Sequence, residues 1–169
     1  LKRLEKSEIN TQNLYTVDII CHGPTIQTVY DAFISSLEGK YHSKIVSVNM
    51  RHKKHGWIPP YLYIQFENGR TYIKPLYETD LGFALRICVR ESCYQCHYKG
   101  NSHLADITIG DFWGLKPGMK EYNTNGVSAM LSRSEKGEQL IKELDQSVFY
   151  VGQTEADKVI MHNRMYKMS

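Results

Sequence analysis

Pro60-Tyr61-Leu62-Tyr63-Ile64-Gln65-Phe66-Glu67-Asn68-Gly69-Arg70-Thr71-Tyr72-Ile73-Lys74-Pro75-Leu76 decides the fold class. Two β-forming runs, Pro60 to Phe66 and Thr71 to Leu76, meet at Asn68-Gly69, a pair that accepts the positive φ of a tight turn. A central hairpin is therefore expected. Upstream, Leu14 to Cys21 is an apolar, β-branched run and predicts a buried strand ending in the turn Cys21-His22-Gly23-Pro24. Thr25 is placed to cap a helix carrying Ile26, Val29, Tyr30, Phe33, Ile34 and Leu37 at helical spacing, with Gly39 as its stop. Lys44 to Met50 predicts another strand, and Thr79 to Val89 a helix.

Further along, a short strand is expected around Ile107 and Ile109 and another at Val127 to Leu131. A helix opened by Ser134 runs to Leu144, followed by a strand at Ser147 to Val151 and a helix at Thr154 to His162. Residues 112–126 carry Gly, Pro and Asn without periodicity and read as a long loop. Strands mixed with helices around a hairpin predict an α/β fold, with some α+β tendency: a mixed sheet, flanking helices and a cysteine-rich loop in one domain over residues 1–169.

The chemistry gathers at four cysteines. Cys93 and Cys96 stand at C-x2-C spacing, which turns two sulfurs toward one centre; a metal or cluster, a redox dithiol and a plain structural turn all fit that pattern. Cys21 is expected at the C-terminal end of the first strand, where α/β folds collect ligands, or else as a small buried hydrophobe. Cys88 gives a C-x4-C-x2-C spacing known from two-iron clusters, yet packing of the preceding helix explains it equally. His22, His97 and His103 keep a Cys/His zinc site open.

Arg86, Arg90 and Lys99 bring positive charge that would offset a thiolate-bound cluster, unless they are ordinary surface charge. Asp106, Gly110, Asp111 and Trp113 follow on a strand. The glycine allows close approach, the acids can accept from a ribityl or ribose hydroxyl, and Trp113 can stack or plug a core. Arg51-His52-Lys53-Lys54-His55 is either a solvated loop or a phosphate-holding one.

Composition narrows the field. At 169 residues with 41% apolar and 23% charged residues, the chain suits a folded domain rather than a disordered one. A net charge of +3 is too small for a dedicated nucleic-acid binder. No run approaches the about 18 apolar residues of a membrane span. No signal peptide is evident, and cysteines grouped three-plus-one do not resemble a disulfide framework, so a cytoplasmic setting is expected. No dinucleotide, Walker, nucleophile-elbow or H-E-x-x-H pattern occurs.

Taken together, Val17-Asp18-Ile19-Ile20-Cys21-His22-Gly23-Pro24, Arg51 to Trp57, Arg90 to Gly100 and Ala105 to Gly114 resemble the C-terminal domain of the coenzyme F(420) hydrogenase/dehydrogenase beta-subunit family. The resemblance implies an iron–sulfur flavoprotein oxidoreductase that moves electrons between a 4Fe-4S cluster, FAD and a soluble hydride carrier, served by a redox partner protein or ferredoxin-like domain. It implies cluster thiolates at Cys21, Cys93 and Cys96, with Cys88 at a variable position. His22, Gly23, Arg51, Arg90, Lys99, Gly110, Asp111 and Trp113 are then candidates for holding cofactor. The family usually carries a further cysteine shortly before a Leu-Lys resembling Leu1-Lys2, so this stretch, beginning without Met inside an expected helix, reads as part of a longer chain. Alone it would lack a ligand, much of the flavin site and turnover. A zinc-stapled binding module without redox activity is the alternative.

Overall fold

In the computed structural model, the described residues are 10–100, 102–145, 147–148 and 150–163. The helix expected at Leu1 to Lys6 lies outside them. The chain forms two compact units. One comprises residues 1–22, 96–122 and 127–169, and the other residues 23–95 and 123–126.

The second unit is built on the hairpin. Strands β2 (Ile45–His52), β3 (Tyr61–Phe66) and β4 (Thr71–Pro75) form an antiparallel sheet in that order. Tyr63 pairs with Ile73 and Gln65 with Thr71. The connection is a three-residue loop: Gly69 donates to the Phe66 carbonyl and Phe66 to the Arg70 carbonyl, with Gly69 alone at positive φ, +78°. That is the pattern of an ordinary turn followed by one left-handed residue. Alternation along β3 turns Leu62, Ile64 and Phe66 inward, where they join Leu37, Leu76 and Leu81. Leu37, Tyr30 and Phe33 come from helix α1 (Gln27–Tyr41), and Leu81 from helix α2 (Asp80–Ile87). Tyr41 stacks on Phe66 with ring centres 4.4 Å apart.

Two boundaries differ from expectation for identifiable reasons. Thr25 does not cap α1; Ile26 holds that position, while the Thr25 hydroxyl donates to the Cys88 carbonyl at 2.8 Å. Gly39 does not stop the helix, because nothing there demands a positive φ. His42 takes the left-handed turn instead, at φ 48°, with its N–H returning to the last carbonyls. Thr79 does cap α2, accepting from the Gly82 N–H at 3.0 Å.

The first unit carries the mixed sheet, order β1-β5-β6. Strand β1 (Val17–Ile19) runs parallel to β5 (Ile107–Asp111), and β5 antiparallel to β6 (Ser128–Ser132). The mixed α/β class is thus as expected, with the hairpin in a sheet of its own. The expected buried strand at Leu14 to Cys21 shortens to three paired residues on an edge, and Val17 and Ile19 are more than half exposed, at 55% and 59%. Helix α4 (Glu135–Lys142) starts at Ser134, which accepts from Gly137, and helix α5 (Ala156–His162) closes the described chain. The core here is small: Ala129, Leu131 and Val159 with Ile20, Phe112 and Ile160. No strand forms at 147–148 or 150–151, and the rest of that expected strand lies outside the described residues. Among the described residues no helix is long and apolar enough to cross a membrane.

Candidate functional site

In the second unit the segment after Cys21 is laced to the segment that carries Cys93. Thr25 bridges to Val89, Ile26 donates to the Cys88 carbonyl at 3.0 Å, and Arg90 donates to the Pro24 carbonyl at 3.2 Å. Arg90 then opens a single helical turn, α3 (Glu91–Tyr94), with the Cys93 N–H returning to the Arg90 carbonyl at 2.9 Å. Gly23 sits against this turn at φ +101°. A Cβ at position 23 would lie 2.8 Å from Cys93 Sγ, 3.1 Å from Cys93 Cβ and 2.9 Å from Val89 Cγ1. The glycine is therefore required twice, for its backbone angle and for the space the sulfur fills.

Cys93 is half-buried, whereas Cys21 and Cys96 are exposed. None of the four cysteines is in a disulfide. Cys88, expected as a ligand or a core residue, is half-buried at the C-terminal cap of α2 and is not among the buried core. Its N–H and carbonyl are both committed, to Ala84 and to Thr25 and Ile26. Of the basic candidates, Arg90 and Arg51 are exposed and Lys99 half-buried. At the end of β2 the Lys53 ammonium donates to the Asn125 carbonyl at 2.9 Å, and His52 stacks on Tyr63. Part of that basic run is thus tied to its own unit.

In the first unit Asp18 and His103 form a close pair. His103 Nδ1 lies 2.7 Å from Asp18 Oδ2, and the imidazole is only 5% exposed. A carboxylate has no proton to give at this distance, so the ring nitrogen is the donor. His103 is a candidate zinc ligand by residue type; one of its ring nitrogens is engaged by a carboxylate instead. Sequence reasoning misses Asp18 as a site residue, although an acid inside Val17-Asp18-Ile19-Ile20 is itself a signal, because an unpaired charge is costly in an apolar strand.

Asp106 is expected as an acceptor for a sugar hydroxyl; in the structure both its oxygens accept from the protein's own groups. Its Oδ2 accepts from the Thr16 N–H and hydroxyl at 2.9 and 2.7 Å, and Oδ1 from Ser134 at 2.7 Å, with Lys136 Nζ at 3.7 Å. Burial pushes its carboxyl up; the hydrogen bonds from Thr16 and Ser134, with the Lys136 charge, outweigh this and hold it below the ordinary value. It is a clamp between elements. Gly110 likewise serves packing on one face, where Ile20 Cδ1 would stand 2.8 Å from its Cβ. On that side Ile20 takes the space. Asp111 ends β5, its carbonyl accepting from the buried Asn163 side chain at 3.2 Å. Trp113 is half-buried, and the buried tryptophan of the chain is Trp57, at 3% exposed.

Among the described residues no three His, Cys, Asp or Glu side chains form a group able to hold a single metal ion. A tetrahedral zinc centre brings its thiolates to about 2.3 Å from one ion, so that geometry is not preformed. A cubane sets its ligands farther apart and is held mainly by cysteine thiolates; Cys21 and Cys96 are accessible and Cys93 is half-buried. The donor set fits a cluster by its chemistry.

No curated protein matches this sequence as a relative. Among solved structures, the xenon-derivatised F420-reducing NiFe hydrogenase complex from Methanosarcina barkeri contains a similar chain, at a TM-score of 0.47 and 13% identity. The match covers 99% of this chain and 54% of that one, so the present sequence spans about half of its length. Residues 1–157 match the family described as the C terminus of the coenzyme F420 hydrogenase/dehydrogenase beta subunit, and the chain belongs to that family.

Proposed function

We propose that this chain is the electron-transfer part of an iron–sulfur flavin oxidoreductase, with Cys21, Cys93 and Cys96 as thiolate ligands of a 4Fe-4S cluster. The observation that carries the reading is the fit of Gly23 beneath Cys93 Sγ, a cradle that any Cβ would fill. Cys21 precedes that glycine by two residues and Cys96 follows Cys93 by three, so in sequence the other two thiols flank the Gly23–Cys93 contact.

When bound, the cluster passes single electrons, and FAD converts between such steps and the hydride of a soluble carrier. The chain's own contribution is to orient and to balance charge. The hydrogen bonds from Ile26, Arg90 and Thr25 hold the turn after Cys21 against the segment bearing Cys93. Arg90 and Lys99 offset the negative charge of a thiolate-bound cluster. Asp111 would offer an acceptor and Trp113 a stacking surface to a bound flavin. A redox partner protein supplies or removes electrons at the exposed cysteine rim.

The test is iron, acid-labile sulfide and visible absorption on the full-length polypeptide purified without oxygen. Brown protein with equal iron and sulfide is expected, and Cys93→Ser should lose both. A colourless, zinc-containing protein would establish the zinc-stapled module instead.

A further inference from the structure

The strand leading to Cys21 and the loop leaving Cys96 meet at the Asp18–His103 contact, inside one unit. Asp18 precedes Cys21 by three residues, and His103 follows Cys96 by seven. Seven residues span up to about 24 Å when extended, so without a tie the loop leaves Cys96 wide latitude. The contact is expensive. His103 is almost fully buried, and the second Asp18 oxygen is out of solvent with no hydrogen-bond partner among the described residues. Packing alone would be served at least as well by an apolar pair, since desolvating charge usually costs as much as pairing returns. A directional 2.7 Å bond does what apolar contact does not: it fixes where the returning loop stands along β1. The neighbouring Thr16–Asp106 bonds secure the same loop three residues later, where it enters β5. Asp18–His103 is thus the tie nearer to Cys96.

We propose that Asp18 and His103 are positioning residues for the cluster thiolates, setting the Cys96 segment against the one that ends in Cys21. This rests on the cluster reading above. The pair touches no iron; it acts through two short lengths of backbone. Removing either partner frees the loop, and outer-shell losses of this kind cost about tenfold to a hundredfold in metal retention.

The experiment uses the anaerobically loaded full-length protein and follows iron release to a chelator, together with the electron paramagnetic resonance of the reduced cluster. His103→Ala and Asp18→Ala should each release iron about tenfold faster, with altered resonance and unchanged circular dichroism. Their combination should add little to either alone, because one interaction is lost in all three. His103→Asn keeps an N–H donor near the position of Nδ1 and should release iron near the wild-type rate. If wild type binds no iron, the cluster reading fails and the positioning role falls with it. If wild type holds its cluster and the alanine variants release iron at the wild-type rate, the cluster reading survives and this inference is overturned. It is equally overturned if the alanine variants unfold and His103→Asn releases iron as an unpaired variant would.

Discussion

Gly23→Ala should be among the costliest small substitutions in the chain, and its cost can be worked from three distances. The new Cβ would stand 2.8 Å from Cys93 Sγ, 2.9 Å from Val89 Cγ1 and 3.1 Å from Cys93 Cβ. Rotating Cys93 moves its sulfur but not its Cβ, and the β-branched Val89 has little rotamer freedom. Relief therefore needs backbone movement of the turn or of the segment from Val89 to Cys93. The backbone angle adds to this, since φ +101° is disfavoured for alanine. Strain of about 1–3 kcal/mol and overpacking of about 1–3 kcal/mol sum to about 2–6 kcal/mol. For a chain of this size that is a fall in melting temperature of about 5–20 °C. If the segment shifts locally instead, Cys93 should react faster with a thiol reagent. Gly39→Ala is the matched control: it lies inside α1 with nothing within 4 Å of its Cβ, so it should stabilise by about 0.5–1 kcal/mol. Thermal unfolding and Cys93 alkylation read both variants. A Gly23→Ala protein with wild-type melting and wild-type Cys93 reactivity would refute the reasoning.

Asp106 should make stability depend on acidity. Its folded pKa lies below the ordinary 3.8, so the contribution is complete above that value and is lost as pH falls through the folded pKa; Asp106→Asn should flatten that limb of the melting-temperature profile, and an unchanged limb counts against the clamp. If the full-length protein binds FAD as proposed, Asp111→Ala and Trp113→Ala should each weaken that binding about tenfold while leaving the fold intact, a loss of order 1–2 kcal/mol per contact. Unchanged flavin affinity in both would make the segment purely structural.

What was legible in the sequence is what local chemistry decides. Asn68-Gly69 marked the hairpin because only a few residues between the strands set its turn. Ser134 and Thr79 marked helix starts because each hydroxyl bonds an N–H three residues ahead. Thr25 misled for the same reason in reverse: its hydroxyl found a carbonyl 63 positions away, which no window around it contains. The exposure of β1 was equally hidden, since a strand's burial depends on what covers it and not on its own apolar content. At the site, the Cys-His-Gly turn and the C-x2-C pair were visible as residue types. The role of Gly23 was not, because the sulfur that requires it belongs to residue 93. Asp106 and Gly110 drew notice by residue type, but their packing against Thr16, Ser134 and Ile20 was not legible, since those partners lie far off in sequence.

On the reading proposed above, thiolates that serve a cofactor cannot be ordered by burial alone, since burial would remove them from what they bind. Cys21 and Cys96 are exposed, and among the described residues the unit that contains them buries Ala105, Ile107, Ala129, Leu131 and Val159. Directional polar contacts add to that apolar core. Asp18 holds His103; Asp106 gathers Thr16, Ser134 and Lys136; and Lys136 also donates to the Leu14 carbonyl just ahead of β1. Around Cys93 the same task falls to the hydrogen bonds of residues 24–26 and to the missing Cβ of Gly23. Each device costs stability that an apolar contact would not, through buried charge or unrestrained glycine entropy. Asp18 lies three residues before Cys21 and Gly23 two after it, so two of these devices sit where the proposed thiolates would need holding.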